Sequence, residues 1–345
     1  MILTYRYRLK EPRAAMRELE RQTRQVNTVW NFCNETHETA RRWDRCWPSD
    51  YDLINLTAGS SHELGLHSDT VQAICKQWAV SRDTHRKRPK WRASRGPKKA
   101  LGWIPFQCAR PIKIEGDTVV FLKKRYRFWN SRKLEGEIKS GSFAQDRRGR
   151  WYINLQCEVA EKQDCGPGEV GIDLGLKTLA TLSTGEKIEN QRHLSQYAEK
   201  LAIAQRAGHK DRARAISAKI ANRRKHENHV VALRIVRENK LIAVGGVNAS
   251  ALAQTSMAKS VLDAGWSQLR GFLRYKAVRH GATYVEVNEY GSTQSCSGCG
   301  AVGGPKGIAA LGVRDWVCAE CGVVHDRDVN AAINHLVSGR NAVLR

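Results

Sequence analysis

The chain has no apolar run approaching the roughly 20 residues that a membrane-crossing helix needs, so no helical span is expected and no membrane partner. Its start, MILTYRYRLK, lacks the apolar stretch of a secretory leader. An intracellular protein is expected, cytoplasmic or nucleoid-associated if the host is prokaryotic. Acid is scarce: 34 Asp and Glu stand against 58 Lys and Arg, a net charge of +24. A lone globule with that charge repels itself, so a polyanionic partner is the natural reading. Paired cysteines are scarce too. Of 10 Cys, only Cys296 with Cys299 and Cys318 with Cys321 have paired spacing. Cys33, Cys46, Cys75, Cys108, Cys157 and Cys165 are scattered, which fits buried thiols in a reducing compartment.

What is present suffices for more than one core. The chain has 345 residues and 41% hydrophobic content, which predicts two or three folded domains. LTYRYRL (3–9) alternates like an edge strand. Residues 12–45 carry Ala15, Met16, Leu19, Val26, Val29, Trp30 and Cys33 on one helical face. The polar stretch 51–66 reads mostly as loop, and a second helix follows from Ser68 or Asp69. Residues 82–99 hold nine Lys or Arg and one acid around Trp91. This is either a solvated linker or a segment that tracks phosphates, with Arg86, Arg88 and Arg92 as contacts and Trp91 as a stacking ring. From 112 to 160 the pattern changes to four strands, two about Gly116-Asp117 and two about RRGR. With strand 3–9 these are expected to close a small β-barrel, interrupted by the helical insertion.

The second half opens differently. EVGIDLGLKTLATL reads as strand, turn and strand, with Gly171, Asp173 and Gly175 on one face. A mid-strand carboxylate between glycines leaves room for a metal and a phosphate. A basic helical region (196–240) includes Arg223 and Arg224, a second candidate phosphate-contact pair. A buried strand LIAV follows, then an amphipathic helix over 259–280, a strand over 282–289 and a last helix begun by HDRDVNAA. Asp326 and Asp328 at that helix start are simple caps or site acids. This is the element order of an RNase H-type fold, in which remote acids meet at the strand ends to hold two divalent ions; Mg²⁺ suits such a site. Before the last helix, CSGC and CAEC give a C-x2-C…C-x2-C set, suited to tetrahedral structural Zn²⁺ on Cys296, Cys299, Cys318 and Cys321.

Together GIDLGLKTLA, STQSCSGCG, CAECG, HDRDVNAAINHL, YRYRL and GRWYINLQCEV resemble the transposon-encoded TnpB proteins, relatives of Fanzor proteins and of type V CRISPR effectors. The resemblance covers nearly the whole chain and is weakest between about 45 and 110. It implies an α+β and α/β multidomain protein. A wedge-like β-barrel would take residues 1–10 and 100–165, and a helical recognition insert 11–99. An RNase H-like RuvC nuclease domain would take 166–290 and 325–345, with a zinc-binding target nucleic-acid element at 291–324. It implies a transposon-derived guide RNA, double-stranded target DNA beside a short adjacent motif, and Mg²⁺-dependent cleavage. By motif position Asp173 is the first acid, and Asp328, the acid of DxNAA, is the last.

The family's middle motif is a strand ending in Glu; here VGGVN occupies it, with Gly245 in the acid position. Some Fanzor and related TnpB proteins carry that glutamate a few tens of residues on, and NEYGSTQSC matches that arrangement. Glu289 is therefore expected to supply the missing carboxylate from a neighbouring strand, with Glu286 the rival on the opposite strand face. The expected alternatives are a guided DNA binder that does not cut and a basic zinc-ribbon DNA-binding protein without a guide. The two retained aspartates count against both.

Overall fold

Apolar alternation and helical periodicity sort the chain into two separate cores. In a computed structural model, residues 1–10, 13–247, 254, 257–306, 310 and 312–344 are described, without the side chains of 13–15. Residues 11 and 12 of the expected helical insert, Asn248 of VGGVN, and residues 307–309 and 311 of the expected zinc element lie outside that description. Two compact units result, Met1–Val159 and Ala160–Arg345. No helix among the described residues is long and apolar enough to cross a membrane.

In the first unit, β1 (Ile2–Arg8) turns Tyr5 and Tyr7 inward and Arg6 and Arg8 outward. It lies at the edge of a sheet ordered β1-β7-β6-β2, with β2 at Trp103–Phe106, β6 at Glu137–Gln145 and β7 at Trp151–Glu158. A separate three-stranded sheet holds β3 (Ile112–Glu115), β4 (Thr118–Phe121) and β5 (Lys124–Arg127). The expected barrel does not close among the described residues. One bridge, Leu9 to Phe128, joins the sheets on one side. On the other side β2 remains an edge, and its Pro105 lacks the N–H that a second ladder would require. The strand β5 is additional to the sequence expectation. Leu122 and Lys123 take positive φ (47° and 64°) in a tight hairpin turn that normally advertises itself with Asn or Gly.

Helices α1 (Arg13–Arg42) and α4 (Ser68–His85) pack through Val26, Val29, Cys33, Ile74, Cys75 and Trp78. Trp78 Nε1 donates to Asn34 Oδ1 at 3.0 Å, so the buried ring leaves no orphan donor. The stretch read as loop contains two short helices, α2 (Asp50–Leu56) and α3 (Ser60–Leu64). A capping box starts α2: Ser49 Oγ accepts from Asp52 N–H, and the Asp52 carboxylate accepts from Ser49 N–H. Leu53, fully buried, anchors it.

The second unit is built on one mixed sheet ordered β10-β9-β8-β11-β12. Its strands are β8 (Gly168–Leu174), β9 (Thr178–Leu182), β10 (Lys187–Glu189), β11 (Asn239–Gly245) and β12 (Thr283–Val287). The first three run antiparallel, and β11 is parallel to both β8 and β12. The apolar run Leu241–Val244 is therefore central and buried on both faces. Helices α5 (His193–Arg206) and α6 (Lys210–Glu238) carry the basic region. One sheet face packs on α6 and on α8 (Trp266–His280) through Val170, Ile172, Ile242, Val244, Ile235, Leu269 and Leu273. The expected single helix over 259–280 is two, α7 (Ala258–Ala264) and α8, because Gly265 between them adopts φ +68°.

The other face carries the last helix, α9 (Arg327–Val343), at very close range. A Cβ on Gly171 would lie 1.9 Å from Ala332 O, and one on Gly339 would lie 2.4 Å from Ala243 Cβ. Backbone meets backbone there, which brings the α9 side chains down onto the strand ends. Gly171→Ala must push helix and sheet apart. We expect a loss of roughly 2–3 kcal/mol in the stability of this unit, read as a lower urea midpoint. An unchanged midpoint would show that α9 docks loosely.

Candidate carboxylate site and cysteine cluster

Asp173 is the next-to-last residue of strand β8, on the face toward α9, with Gly171 and Gly175 two positions to either side. It is partly buried. Asp328 sits in the first turn of α9, also partly buried, and accepts from Arg314 Nη1 at 3.0 and 3.2 Å. Glu289 follows β12 by two residues. In that strand Val287 pairs with Gly245, and Glu286 with Val244. Strand alternation puts Glu286 with Val244 on the α8 face and Glu289 toward Asp173.

The charges around these acids separate them. Glu286 is tied to Arg274 at 2.5 Å and accepts from Tyr284 at 2.8 Å. Burial works against its ionised form, but those donors and the arginines hold its carboxyl below the usual range. Glu289 goes the other way. Partial loss of water pushes its carboxyl up, and the negative charge of Asp173 pushes it further, against His335 and Arg270. Asp328 is also raised, first by burial and then by Asp173, with Arg314 pulling it back. Two carboxyls that are both raised by burial and by the same neighbouring aspartate mark a cluster short of positive charge. Asp326 is different: it caps α9, accepting from Asp328 N–H and Val329 N–H at 3.0 Å, and pairs with Lys187 at 2.5 Å. The three acids do not form a closed ligand set. Among the described residues, the four cysteines are the one group of three or more such ligands whose atoms all lie within 4.8 Å.

Cys318 and Cys321 lie in the loop of a small hairpin, β13 (Asp315–Val317) with β14 (Val324–Asp326), and Cys296 and Cys299 precede it. Cys296 Sγ lies 3.6 Å from Cys321 Sγ, and Cys299 Sγ 3.6 Å from Cys318 Sγ. Four sulfurs around one Zn²⁺ with bonds of about 2.3 Å stand about 3.8 Å apart, so the set is compatible with a structural zinc. His325 Nε2 lies 3.0 Å from Cys296 Sγ. Burial disfavours the Cys296 thiolate, but the N–H groups of Cys299 and Gly298, His325 and Cys321 outweigh it and bring the thiol down to about 5. Asn330 and Asn334 on α9 donate to the carbonyls of Ser292 and Ser295, fastening this element to the helix that carries Asp328.

The basic residues singled out from the sequence have unequal surroundings. Arg86, the left-handed cap of α4, is exposed, and so are Trp91 and Arg223, the latter over the Tyr197 ring. Arg88 pairs with Glu38 at 2.7 Å and lies over Trp91. Arg224 donates to Leu262 O at 2.7 Å. Arg92 is turned inward: it donates to Asn27 Oδ1 at 2.7 Å and Leu101 O at 2.9 Å between Trp30 and Trp103. Its burial lowers the guanidinium pKa.

Sequence reasoning missed Arg314 and His335. His335 lies two helical turns beyond Asp328 on the same face, a spacing that could have drawn notice. Nothing in the sequence signals Arg314.

Fold and site define a class: a two-unit α+β protein with carboxylates gathered at the end of a mixed sheet and a four-thiol element fastened to its last helix. The family model described as "Probable transposase" matches residues 153–256, and "Cas12f1-like, TNB domain" matches 266–335. A Streptomyces pristinaespiralis protein called "Putative RNA-guided DNA endonuclease" is 37% identical over 227 residues, which is 61% of this chain and 56% of that one. "Putative RNA-guided DNA endonuclease InsQ" of Escherichia coli is 28% identical over 274 residues, 69% of this chain and 66% of that one. "TnpB-like protein L79" of a mimivirus is 27% identical over 128 residues, 35% of this chain and 24% of that one. The chain thus spans between about half and two thirds of the first two relatives. Over these segments the chain is similar to TnpB-like proteins and to proteins called putative RNA-guided DNA endonucleases.

Proposed function

We propose that this chain is an RNA-guided DNA endonuclease. It holds a transposon-derived guide RNA and cuts double-stranded DNA beside a short adjacent motif. The observation that carries the reading is the meeting of Asp173, Glu289 and Asp328. They come from remote segments to one end of the sheet, where burial first and the charge of Asp173 second raise the carboxyls of Glu289 and Asp328. The sheet order, with three antiparallel strands followed by two parallel ones, supports an RNase H-like RuvC unit.

In that reading the three acids hold divalent cations, with Mg²⁺ as the expected metal. Bound there, the cations supply the positive charge that activates water and stabilises the leaving oxygen of a phosphodiester. The glycine before Asp173 does not leave open room as the sequence suggested: the space over Gly171 is taken by the α9 backbone, which seats that helix, with Asp328 and His335, close to Asp173. Arg314 holds the Asp328 carboxylate. The strands and helices of the first unit are assigned to the wedge and recognition roles, and the Cys296–Cys321 element to target nucleic acid. The net charge of +24 supports polyanionic partners.

RNA that copurifies with the protein should be one defined species. Programmed with it, the protein should cut a plasmid bearing the matching target in Mg²⁺. Specific target binding without any cutting would transfer the assignment to a guided binder. Absence of bound RNA would leave a zinc-ribbon DNA-binding protein. Affinity for nucleic acid should also fall with salt. Arg86→Ala and Arg223→Ala should each shallow the log K against log[salt] slope by about 0.7–0.9. Arg92→Ala should leave the slope in place and lower stability instead, because its guanidinium is bonded inside the protein.

A further inference from the structure

The seat left open by Gly245 is filled. A Cβ built on Gly245 would lie 2.7 Å from His335 Nε2, 3.1 Å from its Cε1 and 3.2 Å from its Cδ2. The imidazole therefore lies directly over the glycine, in the space that any side chain at 245 would take. Glycine is what admits it. The ring is 1% exposed, and its Nε2 has no hydrogen-bond partner. That nitrogen points at the carboxylates: it lies 3.5 Å from Asp173 Oδ1, and its ring acts electrostatically on Glu289. Asp328 and His335 share one face of α9. A buried ring nitrogen without a partner, aimed into an acidic cluster, calls for an explanation.

We propose that His335 takes the place of the missing residue-245 acid and serves as a nitrogen ligand to a divalent cation shared with Asp173. The inference rests on the reading of Asp173 as a cation ligand and deepens it. A gap of 3.5 Å is long for a charge-assisted hydrogen bond, which closes to about 2.7–2.9 Å. Neighbouring ligands on an octahedral cation with bonds of about 2.1 Å stand about 3.0 Å apart, so the two side chains would draw together by about 0.5 Å to share an ion. The swap also changes what the site prefers. Carboxylate-only sites suit Mg²⁺, whereas an imidazole draws the preference toward transition metals. A site built from Asp173, His335 and the flanking acids should therefore favour Mn²⁺ over Mg²⁺ more strongly than a site of carboxylates alone. Gly245 and His335 are then one device: a carboxylate restored at 245 would collide with the ring rather than repair the site.

The test uses the full zinc-loaded chain with Mn²⁺ as the probe. Mn²⁺ affinity is measured by electron paramagnetic resonance, and nitrogen coordination by pulsed measurement of its hyperfine modulation. Wild type should bind Mn²⁺ with nitrogen modulation that changes when histidine is supplied as the ¹⁵N form. His335→Gln, close in volume, should lose that modulation and bind Mn²⁺ at least about tenfold more weakly. Should that variant not fold, the ¹⁵N-histidine comparison in wild type decides alone. Mn²⁺ bound through Asp173, as shown by its loss in Asp173→Asn, but without histidine modulation overturns the His335 ligand and leaves the acid site standing. Mn²⁺ binding indifferent to Asp173→Asn overturns both.

Discussion

Asp173→Asn is expected to lower guided plasmid cleavage on the order of 10³-fold or more, the loss of several kcal/mol of charge stabilisation at the reacting phosphate. The fold should survive, because Asn has the shape of Asp and the charge removed is one that Glu289 and Asp328 oppose. Target binding should therefore persist while cutting stops. Glu289→Gln is expected to follow with a loss on the order of 10²–10³-fold, as for other single charge-stabilising groups. Glu286→Gln is the internal control. Its carboxylate faces α8 and is held by Arg274 and Tyr284, so cleavage should remain within a few-fold of wild type. Wild-type cutting by Glu289→Gln, or a collapse in Glu286→Gln, would falsify the relocation of the middle acid.

Loss of zinc should have the second large effect, and it should be local. The cysteine element has almost no apolar core of its own: Trp316 and the buried thiols of Cys296 and Cys318, with Ala301 packed against them. Apparent binding of structural zinc is worth about 10–16 kcal/mol in small zinc-dependent folds near neutral pH. Nothing else here supplies a comparable term. Cys318→Ser should lower the zinc content from one per chain toward zero. It should also raise amide exchange from Ser292 to Asp326, where the carbonyls of Ser292 and Ser295 and the N–H of Ser297 are bonded to α9. Cleavage should fall with it, since Arg314 on this element holds Asp328. Exchange in the first unit should not change. A folded, active chain without a transition metal would instead show that the thiols are held by packing alone.

Several features could be read directly from the sequence because their cause is local. The paired cysteines announce themselves by spacing, and the sulfurs meet. The long helices follow from apolar periodicity, as in α1 and α4, and the central strand follows from an unbroken apolar run. Other local signals were present but weaker. Ser49 and Asp52 form a capping box with Asp in place of Glu, a weaker start signal for α2 than the usual pair. The turn before β5 uses Leu122 and Lys123 where Asn and Gly would have shown it.

Composition and spacing alone supply an inventory: a strongly basic chain, a thiol set for zinc, an aspartate between glycines and a second one opening the last helix. Which of these meet depends on how distant segments pair and pack. Strand order is a property of pairing between distant segments, and it set β11 between β8 and β12, so that a strand without an acid borders two that bring one. Side-chain direction alternates along a strand, which separated Glu289 from Glu286. The close seat of α9 on the sheet, allowed by Gly171, Gly245 and Gly339, put His335 over Gly245. Composition could not separate Arg92 from Arg86 either. Charge density is the same in both places, but a guanidinium is spent or free according to what packs around it, and packing is settled only when remote parts of the chain close on one another.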